Sequence, residues 1–398
     1  MKLLLIILDG WPTFRPDVAA LWGEFLPPQG IRADLCTHAT VPEAESPASW
    51  PAGQAWICAP GGGKVGGLLR SFLHDLRVLW ATRRSDHDAV IVRDKSFIAL
   101  PALCWARWRG KPFFYWMSFP IAESLVRLQG RIPARREPLR WLYLGWRGHV
   151  GAWVLHRWVL PRADHLFVQS RRMVQDLAAT GLDAGRMTPV PMCISPTRFP
   201  APLPMRARTD GRRVVGYLGE CSRVRRIDFL FEALAIARRS MPELMLLVVG
   251  DAYEPADQQW LRDEIARLGL QSHVHITGWL PAERVSEVFA EVEVALALMA
   301  PDPLLDSTTP TKLVEYLAMG RPVVANDHPD QREVVAASGA GLCTEFRPQA
   351  YADAIVQMLA SPEQARQMAA QGRAWVLQER AYDQCAVRLA QALRGLVW

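Results

Sequence analysis

A chain of 398 residues, half of them hydrophobic, is long enough for two or three domains with sizeable cores, which excludes a wholly disordered protein. Its net charge of +6 is unevenly divided: residues 1–200 hold 25 Lys/Arg and 15 Asp/Glu, whereas the remainder holds 21 and 25. Twelve of the sixteen tryptophans also lie in the first 200 residues. A basic, tryptophan-rich half and an acidic half are expected to meet different partners.

The seven cysteines are scattered and odd in number, which favours a reducing compartment without disulfides or a zinc site. The opening MKLLLIILDGW has too short an apolar run for a signal peptide, and Asp9 interrupts it. This opening is predicted to be a β-strand. No stretch approaches the roughly 20 uncharged residues that a transmembrane helix needs. We therefore expect a cytoplasmic protein.

Four apolar runs in the first half are predicted to be strands, at residues 2–9, 89–94, 112–118 and 164–170. Helical periodicity is clear from Leu68 to residue 84. Just before it, APGGGKVGGLLRSF invites a phosphate-loop interpretation, but Lys64 precedes the second glycine pair instead of following it. A flexible loop leading into a helix at Leu68 is the preferred interpretation, and its closure over a substrate is left open.

The second half alternates strands with helices of 10–15 residues, which indicates a parallel sheet covered on both faces. Its strands are predicted at residues 212–219, 244–251, 273–279, 294–300 and 322–325, before a terminal helical region. The Pro- and Arg-rich residues 195–213 are predicted to be a linker. The expected fold is therefore α/β, with two doubly wound Rossmann-like domains that face each other across a cleft.

The stretch TTPTKLVEYLAMGRPVVAND, residues 308–327, is predicted to be a short helix that enters a buried strand. Thr309 is expected to cap the helix, with Pro310 at its first position. Lys312 and Glu315 lie three residues apart and so share a helix face. This pattern fits either a surface ion pair worth roughly 0.3–0.5 kcal/mol or a binding function.

The second half resembles the donor-binding domain of the retaining glycosyltransferases of family 4, whose fold is GT-B. The resemblance rests on the order and spacing of VVGYLGECSRVRRIDFLFEALA, LMLLVVGD, HVHITGWLPAERVSEVF, PTKLVEYLAMGRPVVAND and SGAGLCTEF. The first half matches only in outline, mainly at ADHLFVQSRRMVQDLAATG. The resemblance implies an acceptor-binding domain at residues 1–205, a nucleotide-sugar-binding domain at 206–378, and a terminal helix at 379–398 that crosses back to the first domain.

The resemblance also implies a donor site for a UDP- or GDP-linked sugar. In this family the glutamate at the Glu315 position hydrogen-bonds the ribose hydroxyls, and the start of its helix faces the diphosphate and the sugar. A helix N-terminus suits an anion, and Lys312 would add a formal charge there. Trp279 would either stack on the base or pack beneath its loop. The implied donor-binding residues are Gly219, Glu220, Ser222, Arg223, Arg225, Asp251, Trp279, Thr308, Thr309, Pro310, Thr311, Lys312 and Glu315.

The loop after the second domain's first strand departs from the family pattern. The family carries an arginine where this chain has Glu220, and a lysine where it has Arg225. Charge-assisted contacts to the diphosphate need a cation, so Arg225, supported by Arg223 or Arg226, is expected to supply it. Glu220 would either orient one of these arginines or weaken donor binding.

A second departure concerns the transferred sugar. Relatives usually carry an acidic residue eight positions before the ribose glutamate, and Ser307 occupies that position here. Either Asp306, after a one-residue shift of the loop, or the backbone amides of Thr308 and Thr309 would then hold the sugar.

In the first domain, many relatives place a histidine after the strand equivalent to residues 112–118, and Ser118 is nearest to that position. Asp94 and Lys95 are further candidates for the cleft. The expected catalytic residues are Ser118, Asp306 and Ser307. No nucleophile with an adjacent base is evident. This suits retaining transfer by front-face attack, in which positioning and stabilisation of the leaving diphosphate do most of the work. No metal or other cofactor is expected, because cationic side chains and helix ends replace it.

Residues 125–172 hold ten arginines and two acids, interleaved with tryptophans. Trp146 and Trp153 are seven residues apart and would share a helix face. Tryptophan and arginine together suit the surface of an anionic membrane. An ordinary core is the main alternative for the tryptophans, whereas no nucleic-acid-binding module is recognisable. The acceptor and membrane candidates are Arg140, Trp146, Arg147, Trp153 and Arg157.

Together these features predict a retaining glycosyltransferase at the cytoplasmic face of a membrane, with a glycan or a polyprenyl-diphosphate-linked acceptor for polysaccharide synthesis. Two alternatives belong to other classes. One is a sugar-nucleotide epimerase or hydrolase on the same fold, and the other is a non-catalytic binding protein that has the GT-B fold.

Overall fold

The computed structural model describes residues 1–13, 15–39, 49–61, 63–206 and 208–397, and within these it leaves the side chains of residues 64, 65, 282 and 283 undescribed. The chain forms two compact units. Unit one is Met1–Ser195 with Tyr382–Trp398, and unit two is Pro196–Ala381. The divisions thus fall at 195/196 and 381/382, compared with 205/206 and 378/379 expected from the sequence.

Unit one contains a seven-stranded parallel sheet. Its strands are β1 (Lys2–Ile7), β2 (Arg32–His38), β3 (Ala55–Cys58), β4 (Ala89–Arg93), β5 (Phe113–Met117), β6 (His165–Val168) and β7 (Met187–Pro189). They lie in the order β3-β2-β1-β4-β5-β6-β7. The four predicted strands are present as β1, β4, β5 and β6. The sequence did not reveal β2, whose apolar run is broken by Asp34, or the short strands β3 and β7.

The helices of the first 195 residues cover both faces of this sheet. They are a π-helical segment (Asp17–Phe25), α1 (Gly63–Ala81), α2 (Ser96–Arg109), α3 (Ile121–Arg131), α4 (Pro138–Gly145), α5 (Gly151–Val154) and α6 (Arg171–Ala179). The predicted loop up to Leu68 is wrong, since the helix already begins at Gly63. Its glycines cost helix propensity, but a helix of 19 residues gains enough from packing to extend through them. The side chain of Lys64 lies outside the described residues.

Helix α4 continues without a break to residue 162 through two π-helical turns, Trp146–Val150 and Leu155–Val159, on either side of α5. A π turn changes the period from 3.6 residues. The prediction that Trp146 and Trp153 share a helix face assumed 3.6 residues per turn over this stretch. The π-helical turns show that this assumption is wrong. Both side chains are nonetheless exposed, which excludes the core alternative for these two.

The core of unit one lies on both sides of its sheet. Along β1, Leu3, Leu5 and Ile7 belong to one apolar cluster, and Leu4 and Ile6 belong to the other. A strand buried on both faces has an unbroken apolar run, which explains why β1 was recognisable from the sequence.

Unit two contains a six-stranded parallel sheet in the order β10-β9-β8-β11-β12-β13. The strands are β8 (Arg213–Leu218), β9 (Leu244–Val249), β10 (Val274–Ile276), β11 (Val294–Ala297), β12 (Val323–Asn326) and β13 (Gly341–Thr344). The helices are α7 (Asp228–Ala237), α8 (Pro255–Arg267), α9 (Ala282–Phe289), α10 (Thr311–Ala318), α11 (Pro329–Ser338), α12 (Pro348–Ala360) and α13 (Pro362–Glu379). The terminal region, expected to be wholly helical, includes the edge strand β13.

The last helix, α14 (Tyr382–Val397), belongs to unit one. Its backbone begins with a 2.9 Å hydrogen bond from the Tyr382 amide to the Ile194 carbonyl. Its buried side chains join the cluster that contains Leu21 and Trp22 of the π-helical segment. No helix among the described residues is both long enough and apolar enough to cross a bilayer.

The segment predicted to be a linker is packed onto unit two. Arg321 donates to the carbonyls of Leu203 and Pro204, at 2.9 and 3.1 Å. Arg373 donates to the Phe199 carbonyl at 2.9 Å and also to the carbonyl of Ala318, in the last turn of α10. Residues 199–204 are therefore fixed relative to α10.

Candidate functional site

A cavity of about 500 Å³ opens in unit two at the carboxyl ends of β8 and β9, close to the point where the strand order reverses between β8 and β11. Open parallel sheets bind their ligands at such points. The lining residues are Arg198, Phe199, Leu218, Gly219, Val249, Gly250, Trp279, Leu280, Val285, Ser286, Glu315 and Met319. The volume lies within the range of pockets for small ligands.

Two glycines bring backbone to the wall of this cavity. Gly219 follows β8 at φ +131°, and Gly250 follows β9 at φ +133°. A Cβ on Gly250 would collide with the Gly219 carbonyl, and one on Gly219 would lie 2.6 Å from the Nζ of Lys312. A side chain fits neither place, so the backbone itself lines the cavity here.

Glu315 reaches the cavity from α10. It is half-buried, and among the described residues its carboxylate has no hydrogen bond and no ion pair. Burial raises the pKa of Glu315, and the charges of Arg198 and Lys312 counteract that rise only in part. An unsatisfied carboxylate in a cavity wall is suited to accept hydrogen bonds from ligand hydroxyls.

Lys312 lies beneath the turn that follows β8. Its Nζ donates to the Tyr217 hydroxyl at 2.6 Å and lies 4.2 Å from the centroid of that ring. Tyr217 in turn donates to the Glu220 carbonyl at 3.1 Å. Within the described part of the chain Lys312 forms no ion pair with Glu315, so the surface ion-pair interpretation is wrong.

The start of α10 differs from the prediction. The helix begins at Thr311, and Pro310 is the residue before it, with ψ 123° and no capping hydrogen bond of its own side chain. Pro310, and not Thr309, therefore occupies the N-cap position. The amide of Thr308 already donates to the Leu305 carbonyl at 2.8 Å, which removes it from the groups expected to hold the sugar.

The arginines expected at the diphosphate each have a carboxylate partner. Arg225 pairs with Glu220 at 3.2 Å, and Arg223 pairs with Asp257 at 3.2 Å. Arg226 pairs with Asp228 in the same way. None of the three lines the cavity. Their role at a diphosphate stays a prediction.

The predicted sugar-binding and loop residues lie outside the cavity wall. Ser307 is buried, and its hydroxyl donates to the Leu304 carbonyl at 3.1 Å, while Asp306 beside it is half-buried. Asp251 accepts from the amide of Ala252 at 2.7 Å and so shapes the loop after β9. Ser222 precedes the short turn that carries Arg223 and Arg225.

An exposed aromatic pair stands at the edge of the cavity. Trp279 is 49% exposed and stacks on Tyr253, which is 70% exposed, with ring centroids 4.6 Å apart and planes 20° apart. Trp279 therefore does not pack beneath its loop. Tyr253 was not predicted from the sequence. The feature that could have indicated it is an aromatic side chain in the loop after a buried strand.

In unit one, the candidates Ser118 and Asp94 belong to a buried polar network. The Asp94 carboxylate accepts from both the amide and the hydroxyl of Ser118, and the Ser118 hydroxyl accepts from Arg15 at 3.3 Å. Asp94 has a left-handed backbone, φ +58°, which is unusual for a residue other than glycine. Lys95 pairs with buried Asp75 at 2.7 Å. These contacts satisfy the groups internally, and a catalytic role for Ser118 stays a prediction.

The membrane candidates are distributed along the helical stretch from residue 138 to 162. Trp146 stacks on Phe97 with centroids 4.9 Å apart, and Trp153 contacts Trp158 edge-on at 6.0 Å. Arg157 lies 5.5 Å from the ring centroid of Trp158. Two further candidates have local partners, Arg140 with Glu137 and Arg147 with Tyr143.

The sequence thus identified three members of the cavity wall, Gly219, Trp279 and Glu315. It missed Arg198 and Phe199 because they lie in the segment taken for a linker, where no periodic pattern marks a contact. Among the described residues no cluster of three or more His, Cys, Asp or Glu could hold a metal ion.

Solved structures with the same fold are GT-B glycosyltransferases. The HepE protein of Anabaena in complex with UDP covers 99% of this chain and all of its own at 16% identity and a TM-score of 0.71. The sucrose-phosphate synthase of Thermosynechococcus elongatus covers 100% of this chain and 99% of its own at 17% identity and a TM-score of 0.70. The fold of the chain is therefore GT-B.

The sequence of the chain also matches two glycosyltransferase families. Residues 205–375 match the family "Glycosyl transferases group 1", and residues 18–193 match "Glycosyl transferase 4-like domain". The chain belongs to the glycosyltransferases of the family 4 type.

A curated relative is the GDP-mannose-dependent alpha-(1-6)-phosphatidylinositol monomannoside mannosyltransferase of Mycobacterium tuberculosis. It is 28% identical over 218 residues, which are 54% of this chain and 54% of the relative. The alignment thus spans about half the length of the curated relatives that the chain matches.

Proposed function

We propose that this protein is a retaining glycosyltransferase that moves a sugar from a UDP- or GDP-linked donor to a glycan or a polyprenyl-diphosphate-linked acceptor in polysaccharide synthesis. The observation that carries the proposal is the uncommitted Glu315 carboxylate in a cavity of about 500 Å³ at the switch point of a doubly wound sheet. Carboxylates at such points accept hydrogen bonds from ribose hydroxyls.

The other walls of the cavity support a nucleotide sugar as the ligand. The backbone at Gly219 and Gly250 leaves room for a close approach, and Lys312 lies beside the first of these glycines. The face of Trp279 that is not covered by Tyr253 is available to a base. Solved relatives by fold include complexes with UDP and with UDP-glucose, whereas the curated relative is named for GDP-mannose. The test therefore includes both uracil and guanine nucleotides.

In the proposed reaction, the bond between the anomeric carbon and the diphosphate oxygen breaks, and an acceptor oxygen forms its bond on the same face. The acceptor proton passes to the leaving phosphate oxygen. The protein positions both substrates and stabilises the charge that develops on the diphosphate. Since cationic side chains and backbone amides supply that stabilisation, the proposal requires no metal or other cofactor.

The surface of unit one supports an acceptor that is anchored in a membrane. Trp80 and Trp108 are each two-thirds exposed, and Trp146 and Trp153 are more than half exposed. The neighbouring residues are rich in arginine, for example Arg83, which lies 4.3 Å from the ring centroid of Trp80. Exposed indole rings with guanidinium groups suit anionic headgroups. We therefore place the protein peripherally at the inner face of the cytoplasmic membrane.

The function is tested by supplying UDP- and GDP-sugars with vesicles that carry a polyprenyl-diphosphate-linked sugar. Nucleoside diphosphate should be released only when the acceptor is present, and NMR should show the donor's anomeric configuration in the product. Donor consumption without acceptor would favour the epimerase or hydrolase, and an inverted linkage would contradict retention. Co-sedimentation with vesicles that contain or lack phosphatidylglycerol tests the proposed contact with an anionic membrane. Equal co-sedimentation with both kinds of vesicle would contradict that contact.

A charge change at Lys312 should make donor binding dependent on pH. Burial, reinforced by the nearby charge of Arg225, lowers the pKa of Lys312 to about 8. As the pH rises from about 7 to about 9, Lys312 loses its proton, so the affinity for UDP or GDP should fall, by up to about tenfold. Calorimetric titration at several pH values measures this decline.

Two comparisons isolate the lysine from other groups that titrate. Uridine and guanosine lack phosphates, so their binding should not follow the same decline. Lys312→Arg keeps its charge throughout this range and should flatten the profile. A profile for Lys312→Arg that runs parallel to the wild type would show that another group is responsible.

A further inference from the structure

Arg198 ends the short helical turn Pro196–Arg198 at the beginning of unit two. Its side chain is exposed and lines the same cavity as Glu315. Among the described residues it forms no ion pair and no side-chain hydrogen bond. No pattern in the sequence predicted a site residue in this segment.

Arg198 is the single cation in the described wall of the cavity. The arginines expected there, Arg223 and Arg225, are both paired with carboxylates. Lys312 is engaged with Tyr217, and burial lowers its pKa to about 8, whereas a guanidinium keeps its charge at every accessible pH. The positive charge that the cavity offers to an anion is therefore mainly that of Arg198.

The backbone next to Arg198 is held against the helix that carries Glu315. Arg373 holds the carbonyl of Phe199 and also that of Ala318, so one guanidinium joins the segment after Arg198 to the end of the helix that carries Glu315. Phe199 itself lines the cavity. The cation and the carboxylate thus share one cavity without forming an ion pair.

A nucleoside diphosphate carries a partner for each of these two groups. A ligand whose diol meets Glu315 carries its two phosphates a few bonds away, and an unpaired guanidinium in the same cavity is suited to a phosphate oxygen. We propose that Arg198 binds the diphosphate of the nucleotide sugar directly. The inference rests on the proposed function and assigns to this arginine the contact that the sequence assigned to Arg225.

The alternative is that Arg198 acts only through Glu315, by keeping its carboxylate ionised. The two roles differ in the ligand fragment that they affect. Loss of a phosphate contact weakens binding of UDP and GDP but not of uridine and guanosine, whereas loss of a charged Glu315 weakens all four.

The experiment titrates the two diphosphates calorimetrically, and the two nucleosides by ligand-observed NMR, into wild type, Arg198→Met and Arg198→Lys. We expect Arg198→Met to weaken the preferred diphosphate about tenfold and to leave its nucleoside unchanged. Arg198→Lys should recover part of the loss. Arg239→Met removes an exposed arginine of unit two outside the cavity wall and should change nothing.

Unchanged diphosphate binding by Arg198→Met would overturn the inference, and so would an equal loss for nucleoside and diphosphate. Failure of the proposed function is distinguishable, because the wild type would then bind neither diphosphate. Matching thermal unfolding of the variants shows that the fold is intact.

Discussion

Replacing Arg93 by methionine is expected to lower the free energy of unfolding by about 3–5 kcal/mol, because it leaves buried carboxylates without their cation. Arg93 is 1% exposed. Its guanidinium donates to Asp9 and, at 2.5 Å, to Asp17, and it lies 3.7 Å from Asp94. Three acidic side chains of unit one therefore lie against this buried guanidinium, and Arg15 pairs with Asp17 from the more exposed side.

The loss of stability caused by Arg93→Met should become smaller at low pH. Burial by itself would raise the pKa of Asp17, but Arg93 and Arg15 outweigh it, and the pKa lies below its usual value. The stability that ionised Asp17 contributes is therefore present above the unfolded-state pKa and is lost as the pH falls through the lower folded-state value. The difference between wild type and Arg93→Met should shrink below about pH 4, where protonated carboxyl groups no longer need a cation.

Urea unfolding at neutral and acidic pH measures both effects. Arg107→Met is the matched control, since Arg107 forms a more exposed pair with Asp164 and its loss should cost less than about 1 kcal/mol. If Arg93→Met lowered the free energy of unfolding as little as Arg107→Met, the network around Arg93 would make no net contribution to stability.

Replacing Glu315 by glutamine is expected to weaken UDP or GDP binding by about 1.5–3 kcal/mol, which is the worth of hydrogen bonds to a charged group. The two ribose hydroxyls would lose a charged acceptor and meet an amide with one acceptor oxygen. Calorimetric titration of both nucleotides into the wild type identifies the base, and the variant then measures the effect. Glu232→Gln, at a half-buried glutamate of α7 outside the cavity wall, is the control.

The same substitution should not destabilise the protein. Burial raises the pKa of Glu315, so its ionised form is disfavoured in the folded state, and stability falls as the pH rises through that pKa. Glutamine removes this cost, and the free energy of unfolding should stay equal or increase at neutral pH. Weaker binding together with lower stability would indicate a structural role for Glu315. Binding of neither nucleotide by the wild type would favour the non-catalytic alternative.

Much of the fold could be predicted because its central strands are buried on both faces. Such strands appear as unbroken apolar runs, as in β1, β4, β8 and β9, and the helices between them carry a regular period. The strands that escaped prediction are short or interrupted, and most lie towards the sheet edges, as β3, β7 and β13 do. Pairing with a neighbouring strand, which is not a local property, determines these elements.

The α/β class, the family and the position of Glu315 were predictable from the chain alone, because each depends on local patterns and their spacing. Which charges are available to a ligand became clear from the folded chain. Arg225 is paired with Glu220, whereas Arg198, from a segment that looked like a linker, lines the cavity without a partner among the described residues. The physical reason is that charge pairing and burial depend on residues distant in the sequence, which folding alone brings together.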